Sequence, residues 1–184
     1  MFDALLAAAL LAHPAPQASA LPQIATGDPE LAIIFVNALP EVCFRATRGA
    51  SPATDASLKK LAAVPDIIAS DYGRFPTWFS LAKRPNNVFV GFSAEANDCH
   101  LVLADTTQTV EVQKKVIAAL TASGFRAQQD ARSKGMTDMI FVSAVPDGYI
   151  LVSLQAPLAP VEGGKGAQGA VHVRLISKAA FEAR

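Results

Sequence analysis

The sequence predicts an α+β domain: a mostly antiparallel sheet of about five to six strands with helices packed on one face, and an N-terminal helix pair tied to the sheet by a disulfide. Three observations carry that prediction. Apolar residues recur at helical spacing over 31–46 and 112–120, whereas after residue 77 they mostly run or alternate at strand spacing. Short turn signals, Pro85-Asn86-Asn87 and Pro146-Asp147-Gly148, join strand candidates, and hairpin joints make neighbouring strands antiparallel. The only two cysteines, Cys43 and Cys99, fall in the first helical stretch and in a strand.

The chain has 184 residues, 51% of them hydrophobic and 17% charged, enough for one real core and too apolar for a disordered chain. Its formal net charge of zero offers no basic footprint for nucleic acid. Residues 1–20 are expected to be a signal peptide. Ala4 to Ala12 is a short uncharged apolar run, His13-Pro14-Ala15-Pro16 breaks it, and Ala18-Ser19-Ala20 has the small-x-small form cleaved after Ala20. Nine residues span about 14 Å as a helix, too short for a bilayer. Asp3 stands where a Lys or Arg is usual, so the α-amino group, or a start upstream of Met1, supplies the positive end. Residues 21–184 then form a single α+β domain in a periplasmic or secreted setting, without a transmembrane segment. In that setting Cys43 and Cys99 are expected to pair.

Asp28-Pro29-Glu30 starts the first helix, with Asp as cap and Pro at the first helical position. Leu31, Ile34, Phe35, Leu39, Val42 and Ala46 form its stripe, Pro40 must kink it, and Gly49 ends it. A second helix is expected from Thr54 or Asp55 to about Ala63, stopped by Val64-Pro65. Residues 65–76 suggest a loop. Strands follow at 78–81, 88–92 and 99–103. Thr109 is expected to cap the clearest helix, with Val112, Val116, Ile117 and Leu120 inward, Gln113 and the two lysines outward, and a Schellman ending at Gly124-Phe125. A short strand at 125–129, a loop at 130–137, a hairpin over 139–155, a loop at 156–169 and a strand at 171–177 complete the chain. From Val88 onward this ββ-α-βββ order is similar to that of PAS- or profilin-like domains, an analogy of order that implies no ligand.

Several patterns carry chemistry elsewhere. Gly164-Lys165-Gly166-Ala167-Gln168-Gly169 matches the letters of a dinucleotide fingerprint, but a strand follows it where a helix N-terminus must receive the pyrophosphate. Ser57-Leu58-Lys59-Lys60 fits Ser-x-x-Lys without the Lys-Thr-Gly strand that penicilloyl enzymes require. His100 and His172 sit in strands, opposite the more apolar alternating set; they could share one sheet face and, with Glu95 or Asp98 nearby, could hold a metal. Two histidines make a weak case for zinc, so no metal, cofactor or catalytic set is expected. Tyr72, Phe75, Trp78 and Phe79 crowd together, either plugging the core or offering a binding loop. Tyr72, Phe75, Trp78 and the loop residue Lys165 are the candidate binding surface.

The expected function is that of an exported, non-catalytic binding or envelope-associated domain with a protein or small-molecule partner in the cell envelope. The alternatives are a small-molecule-binding, sensor-like domain and a small periplasmic hydrolase using His100 or His172.

Overall fold

The computed structural model describes residues 29–72, 75–95, 97–133 and 135–183. The expected leader, residues 1–20, and the Asp28 cap lie outside them. Helix α1 (Pro29–Ala38) carries Glu30 in its first turn, where an acid complements the helix dipole. It turns Leu31, Ala32, Phe35 and Ala38 into the core. Pro40 then has the effect its chemistry demands. It has no N–H, and its ring crowds the carbonyl of Val36, so the helix widens into a π turn at Leu39–Cys43 before α2 (Phe44–Ala46). The Phe44 N–H reaches back five residues to the Leu39 carbonyl, and Leu39, Val42 and Cys43 all stay buried.

The next segment departs from expectation. After a 3-10 turn at Pro52–Thr54 the chain extends into strand β1 (Leu58–Lys60) instead of a second helix. Asp55 accepts hydrogen bonds from the Ser57 N–H at 2.9 Å and the Ser57 hydroxyl at 2.6 Å. This local side-chain turn competes with the helix. Leu58, Lys59 and Lys60 pair with Leu81, Ser80 and Phe79 of β2 (Thr77–Leu81). A neighbouring strand overrides a helical preference worth only tenths of a kcal/mol per residue. The expected helix pair is therefore one broken helix. Conversely, the expected loop at 65–76 contains helix α3 (Asp66–Tyr72), which buries Ile68.

The remaining elements are β3 (Val88–Ser93), β4 (Asp98–Ala104), α4 (Thr109–Ala122), β5 (Arg126–Ser133), β6 (Met136–Val145), β7 (Gly148–Pro157), β8 (Ala167–Ile176) and α5 (Lys178–Glu182). Among the described residues the strands form one antiparallel sheet of eight, ordered β1-β2-β3-β4-β8-β7-β6-β5, where five to six were expected. The additions are β1 and a full-length β5. The polar run expected as a loop at 130–137 lacks apolar alternation, yet its backbone pairs with β6 from Arg126 to Ser133. From β4 the chain crosses by α4 to the far edge, and three hairpins bring β8 back beside β4.

Alternation divides the side chains between two cores. On one face α1, the π turn and α4 cover Val90, Leu101, Phe141, Val152 and Val173. On the other, Ile68 of α3 packs with Phe75, Trp78, Phe89 and Val102. Helices thus lie on both faces, not one. Each fully buried Phe or Leu contributes about 1.5–3 kcal/mol of transfer free energy. In α4, Thr109 is the first helical residue rather than the cap, and Gln113 is buried rather than wet. The Schellman ending is present: the Phe125 N–H bonds to the Leu120 carbonyl, and Gly124 takes φ +82°.

Cys43 and Cys99 form a disulfide with Cα atoms 5.2 Å apart, tying the π turn to β4. Such a bond is compatible with an oxidising compartment. No described helix is long and apolar enough to cross a membrane.

Candidate functional site

Strand register places the chemistry-bearing residues. Gly91 lies opposite His100, His100 opposite His172, and His172 opposite Ser153, so these positions form one row across β3, β4, β8 and β7. They share the face that α3 partly covers, because His100 and Val102 alternate with the helix-side Leu101. The imidazoles of His100 and His172 stack, with centroids 4.9 Å apart and planes 22° apart. Phe75 meets both edge-on, at 5.0 and 6.1 Å, and Trp78 meets Phe75 at 5.9 Å. His100 is only 5% exposed.

The adjacent row holds an ion pair. Asp98 and Arg174 are direct partners on β4 and β8, and the guanidinium donates from Nε to Oδ1 at 2.5 Å and from Nη2 to Oδ2 at 2.6 Å. His172 Nε2 lies 3.5 Å from Oδ2. Burial is the largest influence on the Asp98 carboxyl and would raise it. The Arg174 hydrogen bonds and the attraction of His172 and Arg174 together outweigh burial and hold it below the ordinary carboxylate value. In return, Asp98 raises Arg174, chiefly through the hydrogen bond.

Extending that row leads to the second feature. Arg174 faces Leu151, Leu151 faces Val142, and Val142 faces Arg126, so Arg126 lies three strands from Arg174, about 14 Å away. Here a groove of about 500 Å³ opens beside α5, lined by Arg126, Gln128, Val142, Ser143, Tyr149 and Phe181, among others. Phe181 reaches it because Ser177 caps α5, accepting from the Ala180 N–H, and because its ring stacks on Tyr149 at 4.1 Å. That volume is in the range of small-molecule sites.

The candidate residues read from the sequence are distributed unevenly. His100, His172 and Asp98 come together, whereas Glu95 is exposed on the turn between β3 and β4. Phe75 and Trp78 are buried in the second core. Tyr72 ends α3, and its side chain lies outside the described residues. Lys165 is exposed in a loop away from both, its carbonyl accepting from Gln168. The Ser57 hydroxyl bonds to Asp55 rather than to a lysine. The strand after the Gly-rich stretch is β8, as expected, and it starts at Ala167, inside the stretch. Among the described residues, no three His, Cys, Asp or Glu side chains are placed to hold a metal.

Sequence reasoning missed Arg174 as the partner of Asp98, and missed the groove altogether. A strand alternation that puts Arg174 on the His172 face was the available signal for the first. The groove had none, since its walls come from β5, β6, β7 and α5. Compared with known proteins, the chain matches no family, no curated protein and no solved structure.

Proposed function

We propose that the chain is an exported, non-catalytic binding domain whose ligand occupies the groove between α5 and the β5–β7 end of the sheet. The single observation behind this reading is the contrast between the two polar regions. In the first, Asp98 is 7% exposed and both its oxygens accept from Arg174, while Phe75 packs against the stacked histidines. These groups hold one another. In the second, Arg126, Gln128 and the Tyr149 hydroxyl have no side-chain hydrogen bond or ion pair among the described residues, and they line an open concavity. The disulfide and the small-x-small signal at Ala18-Ser19-Ala20 support an extracytoplasmic setting.

The hydrolase alternative gains less support. His172 and Ser153 are cross-strand neighbours, but no hydrogen bond joins them, and a nucleophile and its base work within about 2.6–3.2 Å. The test is a melting screen of the full chain against a broad metabolite panel. A ligand-induced rise in Tm that Phe181→Ala abolishes supports the reading. Hydrolysis of an ester or amide that His172→Ala abolishes, with no ligand-induced rise, overturns it.

A further inference from the structure

We propose that the groove beside α5 takes a small amphipathic monoanion: a carboxylate carried on an aromatic or aliphatic body. This deepens the binding-domain reading and rests on it. Among the described residues, Arg126 is the one charged side chain in the groove wall, and no acidic residue lines it. The guanidinium is exposed and engages no carboxylate among the described residues. A planar fork of donors left open in this way matches a carboxylate, which can take two parallel N–H bonds from it. Gln128 and the Tyr149 hydroxyl add neutral donors to the lining.

One cation suits one negative charge, and the basic group of α5, Lys178, lies 3.9 Å from Glu182 on its own helix. A phosphate dianion would find too little positive charge. The rest of the lining fixes the remainder of the ligand. Val142 forms an apolar floor and Phe181 an aromatic wall, held upright by its 4.1 Å stack on Tyr149. A polar body would forfeit that contact, whereas a ring or short alkyl chain would displace water from both surfaces. The groove is open to solvent, so the ionic part of the affinity is screened by salt.

The test is a titration of the full isotope-labelled chain with 3-phenylpropionate, 3-phenylpropanamide and 3-phenylpropylamine, three probes that share a body and differ in head-group charge. Amide cross-peaks of residues 126–128 and 142–144 report the groove. The acid is expected to bind at least tenfold more tightly than the amide or the amine. Arg126→Gln should remove at least that factor for the acid and leave the amide unchanged, and Phe181→Ala should weaken all three. Equal binding of acid and amide, or tighter binding of the amine, overturns the anion assignment while the groove remains a binding site. If none of the three moves those peaks, the anion assignment falls. If the broad metabolite panel fails there as well, the binding-domain reading falls with it.

Discussion

Arg174 grips Asp98 across β8 and β4 with two parallel donors, and the carboxylate it holds is 7% exposed while the guanidinium itself is 41% exposed. The pair is therefore wet on one side only. Its carboxyl is held below the ordinary carboxylate value, so the folded state binds fewer protons there than the unfolded chain. The stability it contributes is fully present above the unfolded value of about 4 and is lost as pH falls through the folded one. Asp98→Asn should lower stability at neutral pH by about 1–2 kcal/mol, the low end for charged hydrogen bonds because Arg174 can turn to water. Melting curves of wild type and variant should converge as pH falls below about 4. A constant gap across that range would remove the pair from the account.

The disulfide bounds a loop of 56 residues, and it fastens the π turn to the strand that carries Asp98 and His100. Chain-entropy reasoning gives such a closure about 4 kcal/mol. Cys43→Ser with Cys99→Ser should lower the unfolding free energy by that order, measured by urea titration, and reductant should do the same to the wild type. Protein recovered from its native cell without reductant should resist alkylation until denatured and reduced. Two thiols that react immediately would contradict both the bond and the oxidising compartment.

How much of this was legible in the sequence follows from how local each signal is. Pro40 announced its own kink, Gly124-Phe125 its helix ending, and Val145 to Gly148 its hairpin, because each depends on a few consecutive residues. Leu58-Lys59-Lys60 did not announce a strand, since its state is decided by pairing with Phe79 and Leu81 far along the chain. The polar β5 likewise becomes a strand only because α4 carries it to the edge of β6. The same rule governs the sites. Alternation alone set His100 and His172 each opposite the apolar side of its own strand, but their shared face needed β8 to return beside β4. Arg126 and Phe181 meet only after the sheet is assembled and the C-terminal helix has folded back over Tyr149.

Gln168 is the clearest case of a polar residue whose value depends on complete satisfaction. It is fully buried, its Oε1 accepts from the Val161 N–H at 2.9 Å and the Thr109 hydroxyl at 3.3 Å, and its Nε2 donates to the carbonyls of Lys165 and Val161 at 2.6 and 3.0 Å. One amide thus fastens the loop before β8 onto the start of α4. Gln168→Leu keeps the bulk and removes all four bonds, leaving backbone groups of the loop to find water. A loss of about 2–3 kcal/mol is expected, together with faster amide exchange confined to residues 158–166. Global loosening without that local signature would show that the side chain acts by packing alone.

Gly91 tests whether the second core is as tightly fitted as the first. A Cβ added there would sit 2.9 Å from Cη2 of Trp78 and 3.1 Å from Cγ of Phe75, both buried and both beneath α3's side of the sheet. Phe75 cannot retreat freely, because it is in turn seated on His100, which leaves the Trp78 indole to give way. Gly91→Ala should therefore cost about 1–3 kcal/mol, a fall of roughly 3–9 °C in Tm for a chain of this size. Trp78 is the only tryptophan, so its emission should shift as the indole is pushed toward solvent. Trp78→Phe removes the offending ring edge, and the double variant should be less destabilised than the sum of the two singles, by at least about 0.5 kcal/mol. Simple additivity would mean that the backbone of β3, and not the contact with Trp78, makes glycine necessary at this position.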